Sequence, residues 1–260
     1  MYSSITLTRQ RIWKTHGSLA RKLALNQKKV MKFASSLLLL LLSITVAAQD
    51  FNSDMNAFLQ KNVKNGLVNY KEIKAVPSEM SALLKQAANA PTYSKSQEKA
   101  FLINAYNLFV IKGIVDHYPV AGPLKIDGFF DKKTFTLRGK KTRLNELEKE
   151  TLAKQFPDPR LHFALVCAAI GCPKLASSAY TEADLESQLE KQTSAVINNP
   201  EFIKVNGSKL RISQIFDWYA ADFGGKEEVV SFIQKYHLLK VKFSPEYSFY
   251  EYDWTLNARK

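Results

Sequence analysis

The spacing of apolar positions changes several times along the chain, and each change marks an element. "DMNAFLQKNV" has the period of a short helix, and "KNGLVNYKEI" places an Asn-Gly turn before a brief apolar stretch. "PSEMSALLKQAANA" is helical, opened by Pro77 and Ser78 and closed before Pro91. The longest helical segment is "SQEKAFLINAYNLFVIKGIVDHYP". Phe101, Leu108, Ile111 and Val115 form one stripe along it, and Ile103, Val110 and Ile114 form a second beside the first. A helix apolar on most of its sides is a buried one. Pro119 stops it, and His117 in its last turn suits the negative end of the helix dipole.

Two later segments share a layout. "TFTLRGKKTRLNELEKE" and "FIKVNGSKLRISQIFDW" each run from a strand through a glycine turn into a second strand and then a helix. Asn145 and Ser213 stand where the helix N-caps belong. Reuse of one local solution explains this better than duplication. "LHFALV" alternates in strand fashion, with His162, Ala164 and Val166 on one face and Phe163, Leu165 and Cys167 on the other. "FDWYAADF" reads as a helix and "YDWTLN" as a terminal strand. The expected fold is α+β: one domain, a small and mainly antiparallel sheet packed against several helices, and one central buried helix.

The amino-terminus changes what the charge means. "LLLLLLSITVAA", residues 37–48, is too short to span a bilayer as a helix but has the form of a signal-peptide core. Residues 1–48 are therefore expected to be a leader and secretory signal peptide, cut after Ala48. Residues 49–260 would be the exported domain, periplasmic or extracellular, with no stable membrane span. The formal net charge is +13, but eight basic residues and no acidic one fall in the leader, so residues 49–260 carry only about +5. No Arg/Lys stripe interleaved with aromatics is present, which argues against nucleic acid as a partner. A small molecule, a peptide or an envelope component fits an exported domain better.

The candidate chemistry sits in "LHFALVCAAIGCPKL", residues 161–175, which holds one histidine and both cysteines of the chain. With Pro173 opening a helical turn, Cys172 would stand at its N-cap, where partial positive charge favours the thiolate. His162 would serve as its base. Asn104 and Asn107 lie on the stripes of the buried helix and need partners there. Each would either orient the imidazole, donate to an oxyanion or tie a loop to the helix. Asp217 or Asp222 would hold the His162 tautomer. Export also permits a Cys167–Cys172 disulfide, with Gly171 supplying the turn. A zinc site from His162, Cys167 and Cys172 lacks a fourth ligand, and neither metal nor cofactor is expected. No phosphate-binding loop, dinucleotide fingerprint or H-E-x-x-H occurs.

"AFLINAYNLFVIKGI", "LHFALVCAAIGCPKL", "ISQIFDWYAADFGG" and "YDWTLN", spread over roughly residues 90–256, together resemble the family called domain of unknown function 547. That resemblance implies an α+β domain with a likeness to papain-like or transglutaminase-like thiol hydrolases. Some members carry serine where Cys172 stands, so it does not require a thiol. Two expectations follow. One is a cysteine-dependent hydrolase or acyl transferase acting on an amide or ester, with Cys172 as nucleophile, His162 as base and Asn104 or Asn107 in support. The other is a non-catalytic exported binding or scaffold module in which these residues hold the fold.

Overall fold

Helix formation begins where Asp50 accepts a hydrogen bond from the Asn52 backbone, capping α1 (Phe51–Asn62). The computed structural model describes residues 50–239 and 242–260; the expected leader and signal peptide lie outside them. After α1, Val63–Lys64 (β1) and Leu67–Val68 (β2) pair as an antiparallel hairpin around Asn65-Gly66. Short helix α2 (Tyr70–Ala75) and α3 (Ser78–Ala88) follow. The 23-residue helix α4 (Lys95–His117) is then opened by a capping box between Ser94 and Gln97. From Lys99 to Val115 every residue of α4 except Lys112 is buried, so it is the central helix that its doubled stripe predicts.

The strands β3 (Phe135–Leu137) and β4 (Lys140–Thr142) pair antiparallel and lead into α5 (Glu146–Leu152), which has π-helical geometry. Phe135 stacks on Phe109 of α4 at 4.9 Å, fixing the hairpin to the core. Next come α6 (Leu161–Ala164) and α7 (Leu185–Ile197). The third hairpin, β5 (Ile203–Asn206) and β6 (Lys209–Ile212), runs into α8 (Ile215–Trp218) and a 3-10 turn at Ala220–Phe223. Helix α9 (Val229–Tyr236) precedes β7 (Tyr247–Phe249), which adds to β6 in parallel. The fold is α+β, and Asp50–Lys260 make one compact unit. Instead of one sheet, two hairpins and a three-stranded sheet lie apart.

Five local expectations need correction. "LHFALV" is not a strand: residues 161–164 are the helical turn α6. Asp158 starts it, its carboxylate accepting from the Arg160 backbone and its carbonyl from Leu161. Leu161, His162, Phe163 and Ala164 are all buried, so the alternation does not separate an inner from an outer face. No helix begins at Pro173; the Cys172 N–H closes a turn on the Ala169 carbonyl, and the chain stays irregular to α7. The helix-dipole argument for a Cys172 thiolate thereby falls away. "FDWYAADF" is broken between α8 and the 3-10 turn. Of the two expected caps, Ser213 accepts from the Ile215 backbone, whereas Asn145 is already helical and makes no side-chain cap.

"YDWTLN" is a lacing segment rather than a strand. Ile170 and Gly171 donate to the Thr255 and Asp253 carbonyls, Leu256 donates to Ala121, and Asn257 donates to Ala168. Isolated bridges join Leu256 to Ala169 and Ala258 to Val68. Glycine is needed where this segment passes. A Cβ on Gly122 would stand 2.2 Å from the Trp254 carbonyl oxygen, and one on Gly171 would stand 2.9 Å from the Asp253 nitrogen. The lacing brings Tyr252 and Trp254 against the loop that carries both cysteines.

Candidate functional site

Four elements and the terminal segment converge on a cavity of about 190 Å³. Central helix α4 contributes Tyr106, α5 contributes Glu148, and the chain from α6 to Pro173 contributes His162, Cys167 and Cys172. Trp218, Tyr219, Tyr252 and Trp254 close the remaining walls. The π geometry of α5 holds Leu147, Glu148 and Leu152 inward together. Glu148 is buried and accepts two hydrogen bonds, from the Tyr106 hydroxyl at 2.8 Å and the Tyr219 hydroxyl at 2.6 Å. Burial, and then the neighbouring Glu148, push both tyrosines above their ordinary pKa, so both remain donors.

The Tyr219 ring stacks on His162 with centroids 3.9 Å apart, and His162 Nε2 lies 2.8 Å from Asp222 Oδ2. Burial lowers the His162 pKa, opposed by the Asp222 hydrogen bond, which leaves a neutral imidazole at neutral pH. A carboxylate only accepts, so Nε2 carries the proton and Nδ1 keeps its lone pair. Of the two acids proposed to orient His162, Asp222 does so; Asp217 lies 3.5 Å from Lys226. A second cavity, of about 240 Å³, touches the other side of Glu148 and His162 and is bounded by Asp158 and Asp222.

The cysteines meet. Cys167 and Cys172 form a disulfide, with Cα atoms 6.2 Å apart. A sulfur in a disulfide is not a nucleophile, so in this state Cys172 lacks the role expected of it. The Cys167 backbone N–H lies 2.9 Å from Cys172 Sγ, and the Tyr252 hydroxyl lies 3.1 Å from that sulfur. Between the cysteines Ala168 is held at φ 63°, a left-handed conformation that L-residues avoid. Its carbonyl is gripped by Asn257.

The amides of α4 are committed elsewhere. Asn104 donates to the Tyr180 carbonyl and to Asn52, and accepts from the Tyr180 N–H. Asn107 donates to the Ala164 carbonyl and accepts from the Val166 N–H. Both therefore tie loops to the helix, and neither hydrogen-bonds His162. Asn107 fixes the segment that turns from His162 towards Cys167, so it shapes the cavity from behind. Among the described residues no cluster of His, Cys, Asp and Glu is arranged to hold a metal.

Sequence reasoning passed over Glu148, Tyr106 and Tyr252. Glu148 left one trace: it stands at the midpoint of Leu144 and Leu152, both fully buried, on one stripe of a helical pattern. A carboxylate in the middle of an apolar stripe needs a partner, and Tyr106 and Tyr219 supply two.

Residues 91–197 match a family model described as "Protein of unknown function, DUF547". That stretch is similar to the DUF547 family. The DUF547 segment contains Tyr106, Glu148, His162 and both cysteines, whereas Trp218, Tyr219, Asp222, Tyr252 and Trp254 lie C-terminal to it. The cavity is thus shared between the DUF547 segment and the chain that follows. No curated protein and no solved structure matches the chain.

Proposed function

We propose that residues 49–260 act as an exported binding module whose ligand occupies the cavity between α4, α5, the disulfide loop and the terminal segment. One observation carries this reading: a half-open cavity walled by aromatic rings, onto which Glu148 and His162 converge as polar groups. Its walls are tied down by the Cys167–Cys172 disulfide and the lacing of residues 252–257, and a site held in shape before its ligand arrives loses less on binding. The disulfide also agrees with export, because such bonds persist in oxidising compartments.

The test uses the chain's own reporters. Two of its three tryptophans, Trp218 and Trp254, line the cavity. A screen of small polar and aromatic compounds should find ligands that shift tryptophan fluorescence and raise the unfolding temperature together. Trp218→Phe should remove most of the fluorescence change. Ligands that bind with no tryptophan response would place binding elsewhere.

A second reading is favoured by the placing of Cys172 in the same cavity as His162: thiol-dependent hydrolysis or acyl transfer after reduction of the disulfide. In it the His162 Nδ1 lone pair accepts the Cys172 thiol proton, the thiolate attacks an amide or ester carbonyl, the amine or alcohol leaves with that proton, and water or a second nucleophile cleaves the acyl-thioester to free the thiol. Under the binding reading, native protein carries no alkylatable thiol before reduction and cleaves no ester or amide after it. Turnover that appears on reduction and is lost in Cys172→Ser would replace that reading.

A further inference from the structure

The charge of the cavity wall is one-sided. Among the described residues its lining contains no lysine or arginine, and its one carboxylate is Glu148. A carboxylate offers about four lone-pair sites, of which the Tyr106 and Tyr219 hydroxyls take two. Capacity is left for a further donor from the cavity. The remaining walls are largely aromatic. The Tyr252 ring lies 4.9 Å from Trp218 and 4.8 Å from Trp254, and those two indoles stack at 5.7 Å. Trp218 is half-exposed, so this group forms the mouth. Tryptophan presents the most favourable aromatic face to a cation.

The approach carries more acidic than basic side chains. Glu251 and Asp253 flank Tyr252 in sequence and are exposed, and Asp217 adjoins Trp218. Asp217 lies 3.5 Å from Lys226, and Lys125 borders the same outer face as Glu251, Tyr252, Asp253 and Trp254. An anionic ligand would find no fixed positive charge on the cavity wall. A neutral donor could fill the spare lone pairs of Glu148 but would not engage the aromatic faces as a cation does. The acidic mouth is set in a domain whose own net charge is positive, so it is a local feature of the site and not of the composition.

Building on the binding reading, we propose that the cavity takes a positively charged amine or quaternary ammonium head group, held between the Glu148 carboxylate and the Trp218, Tyr252 and Trp254 rings. The volume suits a compact head group, and the half-exposed tryptophan lets the rest of a longer ligand leave through the mouth.

Calorimetric titration of the full-length chain with matched probes tests this. Choline is compared with its neutral isostere 3,3-dimethylbutan-1-ol, and butylamine with butan-1-ol and with butyrate. At least one of the two cations should bind about tenfold or more tighter than its neutral partner, and butyrate should not bind. Glu148→Gln keeps the volume and should erase the preference of cation over alcohol. Trp218→Ala, at a half-exposed position, should weaken the cation about tenfold with little change in unfolding temperature, which covers the case that the Glu148 variant folds poorly. Equal binding of alcohol and cation, or binding of butyrate, overturns the proposal and leaves the binding module standing. Failure of both cations to bind at millimolar concentration also overturns it, and the broader compound screen then decides the module separately.

Discussion

The central helix and the cavity wall both bury polar side chains, and they use them in opposite ways. Asn107 of α4 meets main chain at both ends of its amide, the Ala164 carbonyl and the Val166 N–H, and Asn104 does the same with both polar groups of Tyr180. Glu148 and His162 instead meet other side chains: two tyrosine hydroxyls in one case and Asp222 in the other. Each also borders open space. A buried group whose bonds end mainly on backbone is fixing a loop. A group held by side chains at a cavity wall has a geometry set in advance and capacity left over, which is the condition for a ligand site.

The sharpest way to break this contrast is Asn107→Ala. It strands a buried carbonyl and a buried N–H, each costing about 1–3 kcal/mol, so a loss of about 3 kcal/mol is expected in urea unfolding. Glu148→Gln keeps an acceptor for one tyrosine and should cost about 1 kcal/mol while acting mainly on ligand binding. If Glu148→Gln proved the more destabilising of the two, the carboxylate would be a structural group and the contrast would fail.

The disulfide gives the next effect in size. Its loop is short, so the chain-entropy account assigns it about 2 kcal/mol. Replacing both cysteines by alanine should lower stability by about that much. Because the loop lines the cavity, it should also weaken ligand binding, whereas the bonds of Asn104 and Asn107 to the main chain involve neither sulfur. Denaturant unfolding with and without reductant checks the first part, and the tryptophan titration checks the second.

The helical framework was legible because its signals are local. Ser94 and Gln97 cap α4, two apolar stripes bury it, and Gly139 and Gly207 turn the two hairpins. "LHFALV" misled for a physical reason: in a segment buried on all sides, apolar alternation carries no information about which period the backbone adopts. The Asp158-Pro159 start that decided it lies just upstream. Of the site, the cysteine–histidine region and Asp222 were visible. Glu148, Tyr106 and Tyr252 were not, because their partners come from distant parts of the sequence. Tyr219 is 71 positions from the carboxylate it meets, and Tyr252 is 80 from Cys172. The match to the DUF547 model stops at residue 197, before the segment that supplies Trp218, Tyr219, Tyr252 and Trp254.

The smallest effect is a pH dependence that belongs to the cavity wall and not to the central helix. The carboxylates Asp222, Glu148 and Asp158 all favour the protonated form of His162, but burial outweighs them and its pKa falls below the ordinary 6.5. In the unfolded chain the imidazole regains that ordinary value, so below it the unfolded state binds the proton more readily. The stabilisation is therefore complete above about pH 6.5 and is lost as pH falls through the lower pKa of the folded state. His237 is also lowered by burial and adds to the same window. Asp158, held down to about 2 by Arg160 and Lys99 against the cost of burial, acts only in stronger acid. The difference between the wild-type chain and His162→Gln isolates the single ring. Unfolding followed from pH 7.5 to 5 should show a shallower loss in His162→Gln. Asp222→Asn removes a partner that raises the His162 pKa, so it should extend the loss to lower pH. An identical pH profile in His162→Gln would mean that the imidazole is solvated in the folded state, and the cavity wall would lose one of its two polar groups.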